Sequence, residues 1–220
     1  MRLAEVMIEV VDVTKKYKDR QALCPISFHI DYGQAVGVSG RSGCGKTTLA
    51  KIICGLIKPS GGTVLYRGED IFRFKKAGWS MFRRKVQIVF QDPLASLDPK
   101  MTIGESLSEP LIINKCVMKS RLASRVRSLT GKVGLEYDII NRYPHQISGG
   151  QRQRVNIARA LAAGPKLLVC DEPLSSLDLP SQFNILKLFS RLRREENLAL
   201  LFISHDPDII SIICDKVVRL

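Results

Sequence analysis

Residues 40–48 read GRSGCGKTT and stand between an apolar run, AVGVS, and a segment with helical apolar spacing, TLAKIICGL. This placement constrains the fold more than any other feature, because the pattern GxxxxGK[ST] holds phosphate only where a buried strand turns into a helix. Gly40, Gly43 and Gly45, with Arg41, Ser42 and Cys44 between them, can turn backbone N–H groups inward around phosphate oxygens. Lys46 reaches the outer phosphates, Thr47 can hold Mg²⁺, and Thr48 stands in the first turn of a helix whose N-terminus favours anions. A plain glycine-rich turn is the competing reading. It accounts for neither the flanking strand and helix nor the acidic partner downstream.

The other apolar runs repeat the theme. MIEVVDV, VQIVF, LLVC, LLFIS and KVVRL are of strand length. Several are uniform rather than alternating, as strands buried on both faces are. Helical spacing lies between them at 47–56 and 151–163, where Val155, Ala158, Leu161 and Ala162 mark one face. Such alternation predicts an α/β core with a mostly parallel sheet. From about 96 to 150 the chain shows helical segments near 103–112 and 119–135 and no convincing strand. We read a single domain with a core over about 1–95 and 164–220 and an inserted, mainly helical subdomain over about 96–163.

With 45% hydrophobic and 25% charged residues, 220 residues suffice for a sizeable core. No apolar run approaches the roughly 20 residues a membrane span needs. The start, MRLAEVMIEVVDV, alternates like a strand and lacks the pattern of a signal peptide, so a cytosolic chain is expected. Six cysteines include no CxxC pair, which argues against a zinc ribbon or disulfide framework; most are expected to be buried and reduced. The net charge of +13 gathers in FRFKKAGWSMFRRK (72–85) and around 115–132. A solvated helical face near anionic lipid fits it better than a nucleic-acid groove, since aromatics are sparse and no nucleic-acid motif accompanies the charge.

Three further strand ends carry polar groups suited to phosphate chemistry. KLLVCDEP (166–173) ends an apolar strand in two acids, at the edge where α/β sheets bind ligands. Asp171 is placed to hold Mg²⁺, and Glu172 to act as the general base on an attacking water; helix capping is the bland alternative. LLFISHDPDII delivers His205 to the same edge, toward the terminal phosphate, although a lone histidine is more often structural. VQIVFQDP delivers Gln91, whose amide can reach Mg²⁺ or the water. Finally QISGGQRQR (146–154) offers a second anion-binding helix start, or an ordinary cap at Ser148 that leaves the paired glycines unexplained.

In this order, the phosphate loop, VFQDP, ISGGQRQR, LLVCDEPLSSLD and ISHD resemble the nucleotide-binding subunit of an ATP-binding cassette (ABC) transporter, over about residues 8–218. FQDPLASLDPKMTIGESLSEPL and RYPHQISGGQRQRVNIARALAAGPKLLVCDEP look most like the subunits that energise peptide and nickel importers. The resemblance implies a P-loop NTPase core with a mostly parallel sheet, an N-terminal antiparallel β part and an inserted α-helical subdomain. It implies ATP and Mg²⁺ as cofactors, and ATP hydrolysis coupled to import of peptides, nickel or a related metal complex. Two subunits, identical or siblings, would pair head to tail, each ATP lying between one phosphate loop and the other's signature motif. Ser148, Gly149, Gly150 and Gln151 would then face the partner's ATP, Asp178 would run along the interface, and Tyr17 would stack on adenine. An exposed tyrosine at a strand end is the other reading of Tyr17. Two transmembrane permease subunits and, indirectly, an extracytoplasmic binding protein complete the expected partners, at the cytoplasmic face of the inner membrane and without nucleic acid. The loop after Gln91, with MTIGESLSEPL, would border the groove for the permeases' helices.

Ile147 stands where the family signature commonly has leucine, and the chain stops at KVVRL where the family usually continues, which puts C-terminal regulation in doubt. The alternative function is an ABC-type ATPase acting on nucleic acid or ribosomes. The short spacing between phosphate loop and signature, and the single cassette, disfavour it. A degenerate regulator is disfavoured because no catalytic position is missing.

Overall fold

The structure, a computed structural model, describes residues 5–18 and 20–220; the first four residues of the strand-like start and Asp19 lie outside the described residues. The chain opens with β1 (Val6–Tyr17) and β2 (Arg20–Asp31), then β3 (Ala35–Ser39), α1 (Lys46–Ile53), β4 (Gly61–Tyr66) and β5 (Glu69–Asp70). It continues through α2 (Lys76–Lys85), β6 (Val86–Val89), α3 (Ile103–Ile113), α4 (Leu122–Lys132) and α5 (Gly149–Ala162). It closes with β7 (Leu167–Asp171), α6 (Leu179–Glu196), β8 (Ala199–Ile203), α7 (Pro207–Ile213) and β9 (Lys216–Arg219).

Two sheets result. One is antiparallel in the order β2-β1-β4-β5; the other has the order β6-β7-β8-β3-β9 and is parallel throughout. The uniform apolar runs have a direct cause. In β7 and β8, Leu168, Cys170, Leu200 and Phe202 join a core shared with the helices, while Leu167, Val169, Leu201 and Ile203 join a core shared with α1 and the antiparallel sheet. Both faces are dry, so alternation disappears. The parallel strands fall where the apolar runs predict them. β2 and β4 are not among those runs: β2 is an edge strand interrupted by Pro25, and β4 begins with two glycines, which carry no apolar signal.

Between Val89 and Leu167 the described residues form helices and turns and no strand, in agreement with the helical reading. Thr102 caps α3 in a reciprocal capping box with Glu105. The stretch 119–135 divides into a short 3₁₀ turn, Lys119–Arg121, followed by α4. Leu107 of α3, Leu129 of α4 and Val155 of α5 pack into the same core as Phe202, so the helices cover one face of the parallel sheet. Among the described residues no helix is long and apolar enough to cross a membrane.

The basic run 72–85 is a helical face, as expected: α2 buries Phe82, packs Trp79 against Phe72 and Phe74, and leaves its charges outward. The cysteine expectation needs correction. All six are free thiols, but only Cys54 and Cys170 are buried; Cys24 is exposed on the edge strand β2, and Cys44, Cys116 and Cys214 are half-buried because they sit in loops or at a helix end.

Candidate nucleotide site

Four adjacent strands of the parallel sheet, β6, β7, β8 and β3, deliver their C-terminal ends to one edge. After β3 the loop 40–45 turns into α1, whose N-cap is Gly45 at φ 104°, and no side chain caps the helix. A Cβ at Gly45 would strike the carbonyl oxygen of Ala22, so only glycine fits. The free N–H groups of that first turn remain available to an anion. Lys46 Nζ donates to the carbonyls of Gly40 (2.8 Å) and Arg41 (3.0 Å), holding its ammonium across the loop.

At the end of β7, Asp171 is only 2% exposed, and its Oδ1 is buried without a hydrogen-bond partner. Burial pushes its carboxyl above the usual aspartate value; a hydrogen bond from Thr47 opposes that, Glu172 reinforces it, and Lys51 and Lys46 oppose it. An orphaned carboxylate oxygen beside a threonine hydroxyl is a donor set that fits a hard divalent cation. Thr47, Gln91 and Asp171 all line one pocket of about 550 Å³, together with Lys51, Asn156 and Arg159.

The next residue, Glu172, has a left-handed backbone at φ 48°, uncommon outside glycine. Its N–H donates to the Ile203 carbonyl on β8 (3.1 Å), and its carbonyl accepts from the Ser175 hydroxyl (3.1 Å), so both sides of the bend are tied down. The bend sends its side chain toward His205, whose Nδ1 donates to Oε2 at 2.9 Å. The Glu172 side chain is 12% exposed and that of His205 69%. This leaves a sheltered carboxylate with a solvent-facing imidazole, its Nε2 free.

A cleft of about 560 Å³ joins the loop, Gln91 and the Glu172–His205 pair, while Asp171 lines only the neighbouring pocket that shares Thr47 and Gln91 with it. Of the sequence-predicted residues, Tyr17, Ser42, Gly43, Gly45, Lys46, Thr47, Thr48, Gln91, Glu172 and His205 line the cleft. Tyr17 ends β1 half-exposed, with Lys15 Nζ 5.1 Å from its ring centroid. Arg41 does not line the cleft, and neither do Gly40 and Cys44, which pack on each other beside Leu220. Arg20 and Ala22 do line it and were missed; they lie just past the β1–β2 turn, where no periodicity marks them.

The second glycine pair lies elsewhere. None of Ser148, Gly149, Gly150 and Gln151 lines the cleft. Ser148 is the N-cap of α5: its hydroxyl accepts from Gln151 N–H (3.2 Å), and Gln151 Oε1 accepts from Ser148 N–H (3.0 Å). The ordinary cap is therefore real. It uses those two donors and leaves the N–H groups of Gly149 and Gly150 without an intrahelical partner. Arg152 ties the preceding turn by donating to the Ile147 carbonyl at 2.6 Å. A Cβ on Gly150 would stand 3.0 Å from Ser181 Oγ, and Ser181 N–H donates to Asp178 Oδ1 (2.8 Å), the N-cap of α6. Two helix starts thus meet at one exposed surface. Ser181 was not singled out from sequence, because it contributes only through this packing.

The family described as ABC transporter matches residues 23–175. The oligopeptide transport ATP-binding protein OppF of Salmonella typhimurium is 44% identical over 201 residues, 91% of this chain and 60% of that protein. The dipeptide transport ATP-binding protein DppF of Escherichia coli is 37% identical over 225 residues, 98% of this chain and 67% of that protein. Among solved structures, the dimeric post-hydrolysis state of the ATP-binding cassette MJ0796 bound to ADP and Pi is 31% identical with a TM-score of 0.86, covering 97% of this chain and 94% of its own. The chain spans about three fifths of the length of the first of these relatives. With a phosphate loop, acidic strand end and signature helix on one parallel-sheet scaffold, and a family match over most of its length, the chain belongs to the ABC transporter family.

Proposed function

We propose that this chain is the ATP-hydrolysing subunit of an ABC importer for peptides, working as a head-to-tail pair with itself or a sibling. The oligopeptide and dipeptide transport for which its relatives are named supports peptides over nickel or another metal complex. The N–H groups around Gly43 and Gly45, with Lys46, hold the phosphates. Thr47, Asp171 and Gln91 would hold Mg²⁺, which neutralises phosphate charge when bound. Glu172 accepts a proton from the attacking water, sheltered from solvent and oriented by His205; the His205 Nε2 faces the terminal phosphate. Tyr17 stacks on adenine. Ser148, Gly149, Gly150 and Gln151 close over the opposite chain's ATP, while Asp178 lies at the interface. The core over about 1–95 and 164–220 and the helical part over about 96–163 move as this closure forms. Two permease subunits follow that motion at the cytoplasmic face of the inner membrane, and an extracytoplasmic binding protein supplies cargo.

One observation carries the reading. The chain has two helix starts with free N–H groups, and Gln91, Glu172 and His205 gather around only one of them. A second chain completes each site. The test is phosphate release from ATP by the purified chain with and without Mg²⁺, and with added DNA or RNA. Mg²⁺-dependent release indifferent to nucleic acid is expected; strong, saturable stimulation by DNA or RNA would favour the nucleic-acid ATPase instead.

A further inference from the structure

A cleft of about 900 Å³, larger than the nucleotide cleft, shares no lining residue with it. It lies along the outer face of α6, bordered by α7 and the turn at Gly134. Five arginines and lysines line it and no acidic residue does. On α6 the lining residues Phe183, Lys187, Arg191 and Arg194 are four, four and three apart, so they form one stripe. Its three cations spread over about 10 Å of helix.

Three of the five cationic heads are held by hydrogen bonds. Arg154 donates to the Val133 carbonyl at 2.7 Å, Arg191 to the carbonyl of Lys132, and Arg193 to the Ile213 carbonyl at 2.9 Å. Among the described residues, Arg193 alone of the five has a carboxylate partner, Asp215. Arg154 is half-buried; burial first, and the Arg191 charge second, hold its guanidinium below the usual arginine value. Two arginines brought together without a counter-ion are a standing electrostatic cost. An incoming anion removes it. The cleft also has apolar ground, since Phe183 is 58% and Ile212 67% exposed. Lys187 Nζ sits 4.4 Å from the Phe183 ring centroid, so the stripe passes directly from apolar to basic.

We propose that this groove docks an extended acidic segment of a partner protein, carboxylates along the arginine–lysine row and one apolar side chain against Phe183. The row is linear rather than convergent, which suits a chain of carboxylates better than a compact phosphate. Spanning from Phe183 to Arg194 takes about five extended residues. The exposed apolar residue beside it gives a pure polyanion no further gain. The docking is independent of what the nucleotide cleft does.

The test uses the full chain and a fluorescein-labelled peptide of about eight residues, with Glu at alternate positions and one Phe, read by fluorescence anisotropy near physiological salt. Saturable binding is expected, and the double variant Lys187→Glu, Arg194→Glu should weaken it roughly tenfold or more. ATP affinity should stay unchanged, which also reports that the variant is folded; if it is not, Lys187→Ala with Arg194→Ala should still weaken the peptide several-fold. Phe183→Ser should weaken the Phe peptide and leave a Gly-for-Phe peptide unaffected. Reversing Arg83 and Arg84 on α2 should leave binding intact. The proposal is overturned if the peptide does not saturate, if a Gln-for-Glu peptide binds equally, or if the α2 reversal is as damaging. It is also overturned if tripolyphosphate, single-stranded DNA or phosphatidylglycerol vesicles occupy the groove in preference to the peptide.

Discussion

His205 Nδ1 lies 2.9 Å from Glu172 Oε2, a contact made between the loops that follow two neighbouring strands. The left-handed turn at Glu172 aims the carboxylate back toward β8 instead of onward into the next loop. A carboxylate so held, if it is the proposed base, has its orientation set before substrate arrives.

Glu172→Gln keeps the shape of the side chain and removes its basicity. Turnover should fall roughly a hundred- to ten-thousandfold, while ATP affinity stays near wild type and an ATP-bound dimer accumulates. Steady-state phosphate release and gel filtration with ATP check this; near-normal hydrolysis refutes the assignment of the base.

Lys46→Ala acts earlier. The ammonium that bridges the Gly40 and Arg41 carbonyls is lost, and with it the cation that the proposed reading sets against the phosphates. Calorimetry should show nucleotide affinity reduced by about tenfold or more. Unchanged affinity counts against the cradle.

Glu172 also stores strain. Its positive φ suits asparagine better, and its charge disfavours the neighbouring buried Asp171 carboxylate. Glu172→Asn should therefore stabilise the nucleotide-free protein by about 1 kcal/mol, a Tm rise of roughly 2–4 °C, while hydrolysis is abolished. A lower Tm by calorimetric scanning contradicts the strain argument.

Much of this arrangement was legible in the sequence because strands buried on both faces write themselves as uniform apolar runs. Ser39, Asp171, Ile203 and Val89 end β3, β7, β8 and β6, and the proposed site residues begin at or just after each. The antiparallel strands were less visible, since an edge strand with Pro25 and a strand opening on Gly61 and Gly62 lack that signature. Arg20 and Ser181 were invisible for another reason. Each matters through a neighbour far along the chain: Arg20 through the phosphate loop across the cleft, Ser181 through Gly150. The Glu172 backbone also escaped the sequence reading, because a left-handed glutamate contradicts local preference.

The central claim is that the helix start at Ser148 serves the opposite chain. Ser148→Arg tests it most directly, with Ser148→Asp as companion. Arginine crowds the approach of a γ-phosphate and removes a cap contributing about 1 kcal/mol; aspartate keeps the cap and repels the phosphate by charge. ATP affinity of the isolated monomer and ATP-driven dimerisation are measured together, in the Glu172→Gln background. The account predicts near-normal monomer affinity and lost dimerisation for both variants. Loss of ATP binding in the Ser148→Arg or Ser148→Asp monomer would place the motif in its own chain's site and contradict the shared-site reading.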